Sequence, residues 1–181
     1  MKLFTLLTST LLATAVSARS SIFGSSINVA PYDDALKVPG ESPLQFCEDP
    51  KDNILELKSV DLDPNPPLPG KNLTIKATGT LSQNVTAGAA VHLQIKYGLI
   101  TIIKQTLDLC DNVEKVDMKC PIEKGDITFE KEVELPKQIP PGKYTVFADA
   151  KTKDDEDVIT CLTATVEFKV GGNVIVHQGL K

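Results

Sequence analysis

The sequence predicts an all-β fold, an immunoglobulin-like sandwich of two sheets and about seven strands. Three observations predict it. Apolar and polar residues alternate over short segments, most cleanly in residues 73–81. Turns rich in proline and glycine separate these segments, notably at 63–70 and 136–142. No segment carries a helical period for longer than a turn or two.

The chain opens with Lys2, an apolar run over 3–15 and the small residues Val16-Ser17-Ala18. This is the form of a secretory signal peptide occupying 1–18, cleaved after Ala18 and too short to span a membrane. Residues 19–40 lack periodicity and read as a pro-segment or flexible arm ahead of a domain over 41–170. Secretion makes disulfides the default use of Cys47, Cys110, Cys120 and Cys161, and spacing alone leaves three pairings open. Zinc is disfavoured, because there is no Cys-x-x-Cys and both His92 and His177 lie far from any cysteine pair. Asn72-Leu73-Thr74 and Asn84-Val85-Thr86 are N-glycosylation sequons, which suit the same compartment.

Within the domain, 44–47 forms a short first strand and 54–62 a second. The apolar set of the second changes parity between Leu55/Leu57 and Val60/Leu62, which predicts a bulge. Leu73, Ile75, Ala77, Gly79 and Leu81 face inward in the third, and Asn72, Thr74, Lys76 and Thr78 face water. In the fourth, Val91, Leu93, Ile95 and Tyr97 oppose His92, Gln94 and Lys96. After Gly98 the alternation fails, because Leu99, Ile100, Ile102 and Ile103 put apolar groups on both faces. Such a stretch is covered on both faces or lines something oily, and Gly98 is expected to let the strand bend and run on. A polar loop between Cys110 and Cys120 precedes Pro121. Ile127, Phe129, Val133 and Leu135 then share one face of the next strand, against Thr128, Glu130, Glu132 and Glu134. Residues 144–150 form a strand, 152–157 an acidic hairpin loop and 158–170 the last strand, followed by a flexible tail over 171–181. Leu162, Ala164, Val166 and Phe168 face inward. Cys161 has the opposite parity, and the chain has no Trp, so its disulfides staple edges instead of pinning a core as in true immunoglobulin domains.

Charge excludes some functions. The mature chain keeps 18 Lys+Arg against 24 Asp+Glu once Lys2 is removed, a net of −6, with no basic stripe. Nucleic acid and strong electrostatic membrane binding are disfavoured. Catalysis has little support. His92 falls on a polar face and His177 in the tail, with no triad spacing around either. The run Asp154-Asp155-Glu156-Asp157 lacks the spacing and glycine of a calcium loop and reads as a solvated hairpin tip.

Several stretches resemble one family. Cys47 after a short lead-in, Asn65-Pro66-Pro67, the pair Cys110 and Cys120 followed by Pro121-Ile122, and a final strand entered through Cys161 resemble the ML (lipid-recognition) domain, the family of the Niemann-Pick type C sterol-binding protein. Lys96-Tyr97-Gly98-Leu99-Ile100, Leu135-Pro136-Lys137, residues 139–146 and Ile159-Thr160-Cys161-Leu162 are similar in particular to fungal phosphatidylglycerol/phosphatidylinositol transfer proteins. The resemblance implies disulfides Cys47–Cys161 and Cys110–Cys120. It also implies a lipid cavity between splayed sheets, with no enzymatic step and no cofactor or metal. The ligand implied is phosphatidylglycerol, phosphatidylinositol or a sterol. The entrance it implies is lined by Leu99, Ile100, Ile102 and Ile103, by Ile122 with Ile127, Phe129 and Val133 deeper in, and by Ile139 and Tyr144. It implies a monomer of the vacuolar or lysosome-like lumen, or the extracellular space, that touches membranes briefly and works with a membrane sterol transporter. The rival expectation is a secreted sandwich with a fully packed core that displays loops to a protein partner and has no cavity of roughly 300 Å³ or more.

Overall fold

The computed structural model describes residues 34–113, 118–171 and 173–176. The expected signal peptide, residues 19–33 of the expected arm, and His177 lie outside the described residues. The strands are β1 (Gln45–Phe46), β2 (Leu55–Asp63), β3 (Asn72–Leu81), β4 (Ala90–Tyr97), β5 (Ile100–Asp108), β6 (Gly125–Glu134), β7 (Gly142–Lys151), β8 (Val158–Phe168) and β9 (Val174–Val176). Among the described residues one short α-helix, α1 (Leu109–Val113), follows β5. The larger sheet runs β1-β8-β7-β4-β5 with β9 also on β8, and the smaller runs β2-β3-β6. The described pairings are antiparallel throughout.

The expected two-sheet all-β architecture is present, with two strands more than the seven expected. One of these is β5. Gly98 does not bend a continuing strand; it reverses the chain. Gly98 and Leu99 form a two-residue loop, and Tyr97 pairs with Ile100. Gly98 has φ of +56° at the first loop position, the conformation that a hairpin turn of the type II′ class asks of glycine. The failed alternation has a local cause as well. The register jumps between Ile95↔Ile103 and Lys96↔Thr101, leaving Ile102 as the extra residue of a bulge. The second added strand is β9, where 174–176, expected in the flexible tail, pairs with 166–168 of β8.

The start of the domain also differs from expectation. Residues 34–40 were expected in the arm, yet Lys37 bridges to Gln45 and Val38 is fully buried. Val60 N–H donates to Pro39 O at 2.8 Å, and Val38 N–H to Leu44 O at 3.2 Å. A lone valine between Lys37 and Pro39 shows no periodicity, so only tertiary packing reveals its role. The bulge expected in β2 falls between Leu57 and Ser59. Both disulfides pair as the resemblance implies, Cys47–Cys161 and Cys110–Cys120.

The sheets cover each other unevenly. At one side β2 closes onto the larger sheet: Ile54 N–H donates to Val158 O at 3.0 Å, and Phe46, Ile54, Leu57, Val60 and Ile159 pack in one buried cluster. At the other side the larger sheet ends in β5, whose residues are exposed except for partly covered Leu107. Three strands do not blanket six, so the sandwich is sealed along one side and open along the other.

Candidate functional site

Two apolar cavities lie between the sheets, at opposite ends of the same space. Four strands contribute to both. β3 gives Leu81 to the inner and Leu73 to the outer; β4 gives Val91 and Tyr97; β7 gives Ala148 and Tyr144; β8 gives Leu162 and Phe168. The inner cavity, about 280 Å³, sits beside α1 and the Cys110–Cys120 bridge. The outer cavity, about 620 Å³, opens where the β4–β5 hairpin meets the proline turn at 136–141. Among the described lining residues there is no His, Cys, Ser, Asp or Glu. The polar side chains of the inner wall are Asn112, Lys131 and Thr160, whose buried hydroxyl has no hydrogen-bond partner among the described residues.

An aromatic ladder shapes the outer cavity. The Tyr97 and Tyr144 rings lie 5.1 Å apart, and Phe168 meets Tyr144 edge-on at 5.5 Å. Such tilted pairs suit ring quadrupoles. Tyr97 Oη donates to Pro141 O at 2.8 Å and Tyr144 Oη to Pro140 O at 2.9 Å, so both phenols tether the proline turn to the larger sheet. Burial, and secondarily the neighbouring Tyr97, raise the Tyr144 pKa above that of an ordinary tyrosine. Gly142 makes the tether feasible. It has φ of +148°, and a Cβ there would run into the Tyr97 ring. Gly142→Ala is therefore expected to cost about 1–3 kcal/mol and to displace the ring. A lower melting temperature with altered near-ultraviolet tyrosine dichroism would record both effects.

The residues expected at the site fall into three groups. Ile122, Ile127 and Phe129 line the inner cavity, whereas Ile102, Ile103, Ile139 and Tyr144 line the outer one. Leu99 and Ile100 occupy the hairpin tip, outside both linings, at 100% and 67% exposure. Val133 lies on the inward parity of β6 between the cavities and lines neither. Ile122 is not at an entrance. It exchanges backbone hydrogen bonds with Val85 at 2.9 and 2.8 Å and is buried at the closed end, because the Cys110–Cys120 bridge folds that segment inward. Leu73, Ile95, Tyr97 and Phe168 had the right parity but no signal separating cavity wall from core. Lys131 shares the face of Ile127, Phe129 and Val133 and was missed as a polar residue within an apolar pattern.

Elsewhere, His92 is on the outer face, with Nε2 2.9 Å from Asp155 and Nδ1 3.1 Å from Thr106. Among the described residues no group of three or more His, Cys, Asp or Glu side chains could hold a metal. Asn72 and Asn84 are both exposed, and Asn84 Oδ1 accepts from Lys124 N–H at 2.8 Å, leaving its amide nitrogen outside that bond.

Fold and interior together define a β-sandwich that parts around an apolar space and offers no reactive constellation among the described residues of its wall. Residues 41–168 match the family model of the ML domain, and the chain belongs to that family. It is similar to the phosphatidylglycerol/phosphatidylinositol transfer protein of Aspergillus fumigatus, 52% identical over 157 residues, covering 86% of this chain and 89% of the relative. The protein of that name from Aspergillus oryzae is 53% identical over 156 residues, with coverage of 86% and 89%. A solved Niemann-Pick type C2 protein from the Japanese carpenter ant superposes with a TM-score of 0.49 at 15% identity, over 70% of this chain and 98% of that one.

Proposed function

We propose that this chain is a non-enzymatic lipid carrier. It takes one phospholipid, phosphatidylglycerol or phosphatidylinositol, or a sterol, between its sheets and passes it from one membrane to another. The apolar space between the sheets carries this reading. The outer cavity alone, at about 620 Å³, falls within the roughly 300–1,000 Å³ typical of ligand pockets. A fully packed interaction module has no use for it. The names of the relatives point to the two phospholipids.

The physics of the task fits the wall. Exposing a sixteen-carbon chain to water costs on the order of 12 kcal/mol at about 0.8 kcal/mol per CH₂, so unaided transfer is slow. A carrier needs an apolar cavity of comparable quality and no nucleophile. On this reading Ile102, Ile103, Ile139 and Tyr144 contact the ligand near the opening, and Ile122, Ile127 and Phe129 contact it at depth. Val133 bridges the two. The carrier works as a monomer in the secretory pathway, in a vacuolar or lysosome-like lumen or outside the cell, with glycans on Asn72 and Asn84 and a membrane sterol transporter as a further partner. Re-isolating the protein after incubation with vesicles of mixed labelled lipids tests the core claim. A protein that emerges lipid-free and does not speed transfer between vesicles refutes it.

Leu99 and Ile100 supply the membrane contact. A fully exposed leucine at a hairpin tip gains nothing for folding, and burying it in a bilayer returns about 1.5–3 kcal/mol. Leu99→Glu is expected to weaken co-sedimentation with vesicles by roughly tenfold or more at an unchanged melting temperature.

A further inference from the structure

We propose that Lys131 is the contact for the phosphodiester of a bound phospholipid, and that the headgroup sits at the open side of the sandwich beside β6. This rests on the carrier reading above and adds where the polar end of the ligand is held.

Lys131 is the one charged side chain among the described lining residues of both cavities. It sits on the inward face of β6, between Phe129 of the inner cavity and Leu135 of the outer. β6 is the outermost strand of the smaller sheet and lies on the side where β5 is left uncovered. The half-buried Lys131 can thus run its methylene stem along the apolar wall and bring its ammonium to the opening. The outer face of the same sheet treats its charges differently. Lys58 meets Asp126 at 2.7 Å, and Lys76 meets Glu130 at 3.2 Å. The Lys131 ammonium has no hydrogen bond or ion pair among the described residues. A cation set in an apolar wall is stabilised when an anion arrives beside it with the ligand. A headgroup phosphate placed there leaves both acyl chains beside apolar space, one toward each cavity.

A lysine on an edge strand also has a purely structural use, since inward-pointing charges deter edge-to-edge pairing. Lys131→Glu separates the two roles, because it keeps a charge on the edge and reverses its sign. The measurement is uptake by the full chain from vesicles doped with phosphatidylglycerol or with diacylglycerol of identical chains. In Lys131→Glu the phosphatidylglycerol-to-diacylglycerol ratio is expected to fall roughly tenfold or more, since hydrogen bonds to charged groups contribute at least this much, and Lys131→Arg is expected to restore it. Inorganic phosphate, offered alone in millimolar excess, is expected not to compete. A Lys131→Glu protein that stays folded and keeps the wild-type ratio overturns the proposal while the carrier reading stands. Competition by inorganic phosphate would make Lys131 a free-anion site and overturn it as well. A wild-type protein that takes up neither lipid removes both.

Discussion

Replacing Cys47 and Cys161 together by serine is expected to lower stability by about 2–5 kcal/mol, and the melting temperature by roughly 10 °C. The bridge spans a sequence separation of 114, so in the unfolded chain it closes a very long loop. It also anchors a weak edge. β1 has two residues, Gln45 and Phe46, paired with Thr163 and Leu162. Cys47 N–H adds one hydrogen bond to Cys161 O at 3.0 Å. Phe46 nevertheless belongs to the buried cluster that seals this side of the sandwich, together with Val38 and Ile54. The Cys110–Cys120 bridge, with a separation of only 10, gives an internal comparison. Loop-closure entropy makes its removal cheaper by about 2 kcal/mol. Urea unfolding of the two double-serine variants measures both. Equal losses, or a Cys47/Cys161 variant as stable as wild type, would mean that the long bridge does not hold β1 to β8.

Much of the frame that carries these bridges was legible in the sequence, for physical reasons. Leu73, Ala77, Gly79 and Leu81 are buried at alternate positions because β3 is the central strand of its sheet and one face of it is packed. The parity change between Leu57 and Val60 predicted the β2 bulge because a one-residue insertion moves every later side chain to the other face. The hairpin at Gly98 was hidden by its composition. Turns are usually read from polar residues, whereas Leu99 and Ile100 leave the turn apolar. Two neighbouring isoleucines at 102 and 103 looked like a two-faced strand, because a bulge depends on the partner strand and not on local pattern. β9 and Val38 were missed because neither has an alternation long enough to read: β9 is three residues hairpinned onto β8, and Val38 is a lone valine whose burial comes from tertiary packing. Whether Ile127 and Phe129 border packed core or open space cannot be read from their chemistry, since both environments select the same side chains. The disulfide pairing came from family resemblance, because spacing leaves it open.

Placing a carboxylate at the outer cavity is expected to separate loading from folding. Ile102 is 52% exposed on the uncovered strand and Ile139 is half-buried in the proline turn. In the lipid-free protein Ile102→Asp keeps its charge hydrated, so its melting temperature is expected to stay close to wild type. On loading, an acyl chain must displace that water and leave the carboxylate against hydrocarbon with no partner. Burying an unpaired charge costs several kcal/mol, and even a small part of this reduces uptake tenfold or more. Ile139→Asp should behave in the same direction. Val85→Asp is the control for ordinary core, because Val85 is 1% exposed and its charge would be buried whether or not lipid is present. That variant is expected to unfold. Circular dichroism melts beside uptake from labelled vesicles distinguish the cases. If Ile102→Asp unfolds as Val85→Asp does, the outer cavity is core that the fold depends on. If it folds and loads like wild type, lipid does not pass over Ile102. Only a folded, poorly loading variant fits a cavity that stays wet until its ligand arrives.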